Sequence, residues 1–163
     1  MPDKKTIEAA RADKRAGKSA STQAGEFVRE EMHHIREGKH GAESTKQAIA
    51  IGLSKARRAG VDLPSPPEDA TERTKESAKS AVRRRGKKVS AKRSRAMRKV
   101  LKREGHGAAS KRSLAAQART AARKRSASDR SRAAKKAART KGAAGRKAAA
   151  RKAARTRARR ASR

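Results

Sequence analysis

The stretch STKQAIAIGLSKARRAG, residues 44–60, carries the clearest structural grammar in this chain. Ser44 followed three residues later by Gln47 has the capping-box pattern that opens a helix. Ile49, Leu53 and Ala56 then recur at i, i+4 and i+7, which stacks them on one face, and Ile51 widens the stripe. Lys55, Arg57 and Arg58 crowd the last turn, where the helix dipole favours cations. Gly60 fits a left-handed C-terminal cap, and Val61 is placed to pack back on the helix as in a Schellman motif.

Working outward, a second amphipathic pattern precedes this one. From Gln23 to Glu37 the apolar Phe27, Val28, Met32 and Ile35 recur at helical spacing, and Gly38 suits the cap. A polar loop, Lys39 to Glu43, joins the two. The pair reads as a helical hairpin over residues 23–63, preceded by a flexible N-terminal arm at 1–22. Pro64, Pro66 and Pro67 with Glu68 and Asp69 mark a linker at 64–69. Phe27 is the only aromatic residue and cysteine is absent, so neither a large core nor a disulfide or thiolate-metal framework is available.

Charge divides the chain at that linker. Residues 1–69 hold 13 basic and 11 acidic side chains, whereas residues 70–163 hold 36 basic and 4 acidic. The latter form a low-complexity tail of Ala, Arg, Lys and Ser. Few apolar residues and strong self-repulsion predict disorder with latent helicity. The fold class expected is therefore mostly α, a short helical hairpin followed by a long disordered basic tail. In a tail helix Lys147, Arg151, Arg155 and Arg159 would form one basic ridge, and Gly142 and Gly145 would break it. One internal echo stands out: His40-Gly-Ala-Glu-Ser returns as His106-Gly-Ala-Ala-Ser, which suggests a degenerate second hairpin.

The segment from Glu31 to Pro64 resembles a family of small bacterial proteins that share a basic HG loop followed by S-x-KQAIAIGLS-x-ARRAG. Gly41, Ser44, Lys46 to Ser54 and Ala56 to Gly60 carry the likeness. The resemblance implies a bacterial source and no established activity. Glu43 stands where such proteins tend to place a basic residue. The tail separately resembles the Ala/Lys/Arg-rich tails of bacterial linker-histone-like proteins, although it lacks proline and favours arginine.

A net charge of +34 seeks a polyanion, and nucleic acid is the expected partner. Phosphate contacts are expected from Arg83, Arg84, Arg85, Lys87 and Lys88, and from Arg123, Lys124, Arg125, Lys135 and Lys136. Further contacts are expected from Arg146, Lys147, Arg151, Lys152, Arg155, Arg157, Arg159 and Arg160. Lys46, Lys55, Arg57 and Arg58 are candidate hairpin contacts. Without aromatic stacking platforms, duplex DNA is favoured over RNA. A nucleoid-associated, histone-like role in the cytoplasm follows as the expectation. The alternatives are a structural RNA or ribosome-associated protein, or an adaptor whose hairpin holds a protein partner.

His33, His34 and His40 with Glu30, Glu31 and Glu37 invite a metal or catalytic reading. The expected state is exposed polar residues on a surface helix, with no metal and no cofactor, because a closed site needs a core. No catalytic triad, phosphate loop or nucleotide fingerprint is present, so no enzyme activity is expected. Neither a secretory leader nor an apolar run of membrane-spanning length is read in the sequence.

Overall fold

A computed structural model describes residues 2–87 and 89–162. Seven α-helices run through them: α1 Lys4–Arg15, α2 Ala20–Arg36, α3 Thr45–Ala59, α4 Glu72–Arg83, α5 Ala91–Leu101, α6 Lys111–Lys124 and α7 Ala127–Ala161. A 3-10 turn, Gly107–Ala109, joins α5 to α6. No helix among the described residues is long and apolar enough to cross a membrane.

Local chemistry explains the helix ends. Ser19 caps α2 by accepting from the Thr22 amide at 3.4 Å. Ser44 caps α3 by accepting from the Gln47 amide at 3.2 Å, and Gln47 reaches back to accept from the Glu43 amide at 2.7 Å. That is a capping box displaced by one residue at its return bond. Gly60 adopts φ 97° and the Val61 amide donates to the Ala56 carbonyl, which seats Val61 on the helix it follows.

By its contacts the chain divides into two units, the first ending at Gln117 and the second beginning at Ala118, inside α6. In the first unit, α2 is the central element and buries residues on two sides. Phe27 packs with Ala10 of α1, Ala24, Ala56 of α3 and Val61. Met32 and Ile35 pack with Ala42, Ala48, Ala108 and Ala109. The segment read as an N-terminal arm thus contributes α1 to the core. Most core residues are alanine, so backbones must approach closely for the small side chains to touch.

Gly52 marks a close approach of α3 to α2. A Cβ there would lie 2.8 Å from the Val28 Cα and 3.1 Å from its amide nitrogen. Gly52→Ala gains about 1 kcal/mol of helix propensity. It loses about 1–3 kcal/mol to overpacking against backbone that cannot rotate away. The second effect wins, and calorimetry of the variant is expected to show a lower unfolding midpoint. A raised midpoint would mean that α2 and α3 part freely.

The internal echo has a structural counterpart in the first unit. Ile35 and Leu101, 66 residues apart, are both buried, as are Ala42 and Ala108. Ser110 accepts from the Ser113 amide at 3.1 Å at the start of α6, as Ser44 does for α3. The two HGA segments also meet. The Gly41 amide donates to the Leu101 carbonyl at 2.8 Å and the Ala42 amide to the Gly105 carbonyl at 3.1 Å. Thr45 Oγ1 donates to the Ala108 carbonyl at 2.7 Å and Arg36 Nε to the Ala109 carbonyl at 2.9 Å.

The expectation of a disordered tail is corrected: helices α4 to α7 carry the chain to Ala161. Self-repulsion is the weaker effect here. Exposed like charges at helical spacing cost about 0.2–0.5 kcal/mol per pair. Alanine, nine of the 19 residues from 143 to 161, is the best helix former, with Arg and Lys close behind. Caps add to this: Ser126 accepts from the Asp129 amide at 3.1 Å, and Thr71 from the Thr74 amide at 3.3 Å. Asp129 also pairs with Arg132. Hydrogen bonds from Ser126 and Arg132 hold its carboxyl below the usual range. Gly142 (φ 66°, ψ 172°) kinks α7, as expected, but Gly145 stays within the helix.

Candidate nucleic-acid interface

The second unit, taken by itself, has 19 basic residues and one acidic residue from Ala118 onward. Helix α7 buries none of its side chains. Lys135 and Lys136 lie before its kink. Arg146, Lys147, Arg151, Lys152, Arg155, Arg157, Arg159 and Arg160 lie after it, all exposed. Lys147, Arg151, Arg155 and Arg159 fall on one unbroken helical stretch. Four residues turn the helix about 40° beyond a full revolution, so the ridge they form winds slowly around the axis.

Arg123 and Lys124 end α6 and Arg125 follows, all exposed. The cluster at 83–88 is partly engaged within the first unit. Arg83 pairs with Glu76 at 2.7 Å, and Arg85 pairs with Asp62 at 3.2 Å while donating to the Gly60 carbonyl at 2.9 Å. Arg84 and Lys87 are exposed. Lys88 lies outside the described residues.

The four hairpin candidates do not share a free face. Lys46 is exposed at the start of α3. Lys55 turns inward to Glu31, with Nζ 2.5 Å from Oε2. Arg57 is half-buried, donates to the Pro64 carbonyl at 3.1 Å, and has its pKa lowered by that burial. Arg58 is also half-buried, with Nε enclosed and without a hydrogen-bond partner. A groove-reading helix needs such side chains free.

The glutamates and histidines of α2 are not the exposed set expected. Glu31 is fully buried and Glu30 is 7% exposed. Glu31 follows Phe27 by four residues and precedes Ile35 by four, so it sits on the apolar stripe. That spacing was the available sequence signal for its burial. His40 Nε2 lies 3.3 Å from Glu31 Oε1, and His34 Nε2 lies 3.8 Å from Glu30 Oε1. The Asp3 amide donates to Glu30 Oε1 at 3.2 Å. Lys55, which sequence reasoning placed on the outside, is the cation of this cluster. His33 and Glu37 stay exposed.

Residues 11–66 match the model of a family of unknown function (DUF6496). The DUF6496 match takes in α2, α3 and the glutamate–histidine cluster between them, and stops before α4. It leaves out the basic helices. No curated protein and no solved structure matches the chain.

Proposed function

We propose that this chain binds nucleic acid, duplex DNA in preference to RNA, by neutralising phosphates with the exposed cations of its C-terminal helices. It acts as a nucleoid-associated, histone-like protein. The observation that carries this reading is the charge of the second unit, 19 basic residues against one acidic, on helices without a buried side chain. Each cation that meets a phosphate releases condensed counterions, and arginine adds a forked hydrogen bond. Such contacts position a protein on DNA without reading bases.

The state of Phe27 supports duplex over single-stranded partners. It is the only aromatic residue, and it is completely buried. No base can therefore stack on a phenylalanine, tyrosine or tryptophan ring. Competition in fluorescence anisotropy tests the reading. A labelled mixed-sequence duplex bound to the full chain is expected to be displaced by other duplexes regardless of sequence. Ribosomal RNA fragments should compete less well per phosphate. Preferential capture by folded RNA would instead favour a ribosome-associated role, and failure to bind either would end the proposal.

A further inference from the structure

We propose that Glu31, His34 and His40 form a binding site for a divalent transition ion of the zinc class. One ligand atom from each lies within 4.8 Å of the others. Glu31 and His34 stand one helical turn apart on α2, and His40 enters from the loop after it. Carboxylate and imidazole are ligands suited to this ion, and a tetrahedral zinc site needs ligand atoms roughly 3.3–3.5 Å apart. The His40–Glu31 edge, 3.3 Å, already has that length.

The hydrogen bonding around His40 points to a cation. Its Nδ1 lies 3.0 Å from the Gly41 carbonyl oxygen. A carbonyl only accepts, so Nδ1 carries a hydrogen, which leaves Nε2 as the ring nitrogen open to a ligand. Nε2 lies 3.3 Å from Glu31 Oε1, a buried acceptor that receives no hydrogen bond. A metal ion held by both atoms would satisfy the oxygen that no hydrogen bond reaches. A backbone carbonyl holding the far nitrogen of a ligating histidine is the usual support of a metal site.

Charge leaves room for the ion. Glu30 and Glu31 bring two buried carboxylates, and Lys55 supplies one ammonium, in ionic contact with Glu31 Oε2 but not aligned as a hydrogen bond. Glu31 Oε1 and Glu30 Oε2 are buried and receive no hydrogen bond. Lys55 on Oε2 leaves Oε1 for the metal, and water would complete the coordination. The ion would tie α2 to the loop whose Gly41 amide holds the Leu101 carbonyl, and so would brace the first unit.

The chain has four histidines, and two of them, His33 and His106, are exposed and serve as internal controls. Zinc chloride titrated into the nucleic-acid-free full chain by calorimetry should bind once, and cobalt(II) chloride should give the visible bands of a four-coordinate nitrogen–oxygen site. His34→Gln or His40→Gln should weaken zinc by about tenfold or more, whereas His33→Gln and His106→Gln should leave it unchanged. Zinc binding that survives the double variant His34→Gln/His40→Gln overturns the proposal, as does no binding by the unaltered chain. Should the variants lose helicity by circular dichroism, the nitrogen-15 imidazole signals of the unaltered protein decide. Zinc must then shift His34 and His40, and a shift confined to His33 and His106, or none, overturns the site.

Discussion

Replacing Lys147, Arg151, Arg155 and Arg159 together by glutamine, in the full chain, is expected to weaken duplex DNA binding on the order of a thousandfold near 0.1 M salt. The magnitude follows from counterion release, which contributes about 0.9 to the slope of log K against log salt for each phosphate contact. Four lost contacts remove about 3.6 from that slope. Glutamine is nearly as good a helix former as arginine, so α7 should persist and circular dichroism should hardly change. The matched control replaces four cations of α1, Lys4, Lys5, Arg11 and Lys14, which lie exposed in the near-neutral part of the chain. That control should move the slope little. Equal losses from the two variants would mean that net charge alone, rather than the C-terminal ridge, governs binding.

Phe27→Ala should have the largest effect on stability. Phe27 is completely buried between α1, α3 and Val61, and its neighbours Ala10, Ala24 and Ala56 are too small to fill the space it leaves. Such truncations cost about 3–5 kcal/mol, a large part of the 5–15 kcal/mol that typically holds a domain together. Hydrogen exchange read by mass spectrometry separates the consequences by segment. Amides of α2 and α3 should exchange about a hundredfold faster or more. Those of α7, whose side chains take no part in a core, should keep their rates. Unchanged protection in α2 would show that the second cluster, around Ile35 and Ala109, sustains the unit alone.

The parts of the fold written in short-range chemistry were legible in the sequence. Ser44, Gln47, Gly60 and Val61 act within a few residues of one another, and they cap α3 at the ends that the spacing predicts. Glu31 escaped because its polarity outweighed its position: the Phe27–Glu31–Ile35 spacing says buried, the carboxylate says exposed. The cation that settles the conflict, Lys55, is 24 residues away, beyond what local pattern reveals. The tail departs from expectation through energetics, not through pattern. Its alanine content and caps are visible in the sequence, and they outweigh the repulsion between solvated charges. The likeness between His40-Gly-Ala and His106-Gly-Ala was visible too. That the two stretches would bond to each other was not, since sequence similarity carries no information about pairing.

That pairing has a bearing on synthesis. The matched segment ends at residue 66, yet the carbonyls that hold Gly41, Ala42, Thr45 and Arg36 belong to residues 101–109. A growing chain that has just released Pro66 therefore has helices α1 to α3 but still lacks Ala108 and Ala109, which cover Ile35 and Ala42. At about 5–20 residues per second the ribosome needs some seconds to deliver them. During that interval the nascent chain carries an open apolar edge while the basic residues of α4 and α5 emerge beside ribosomal RNA.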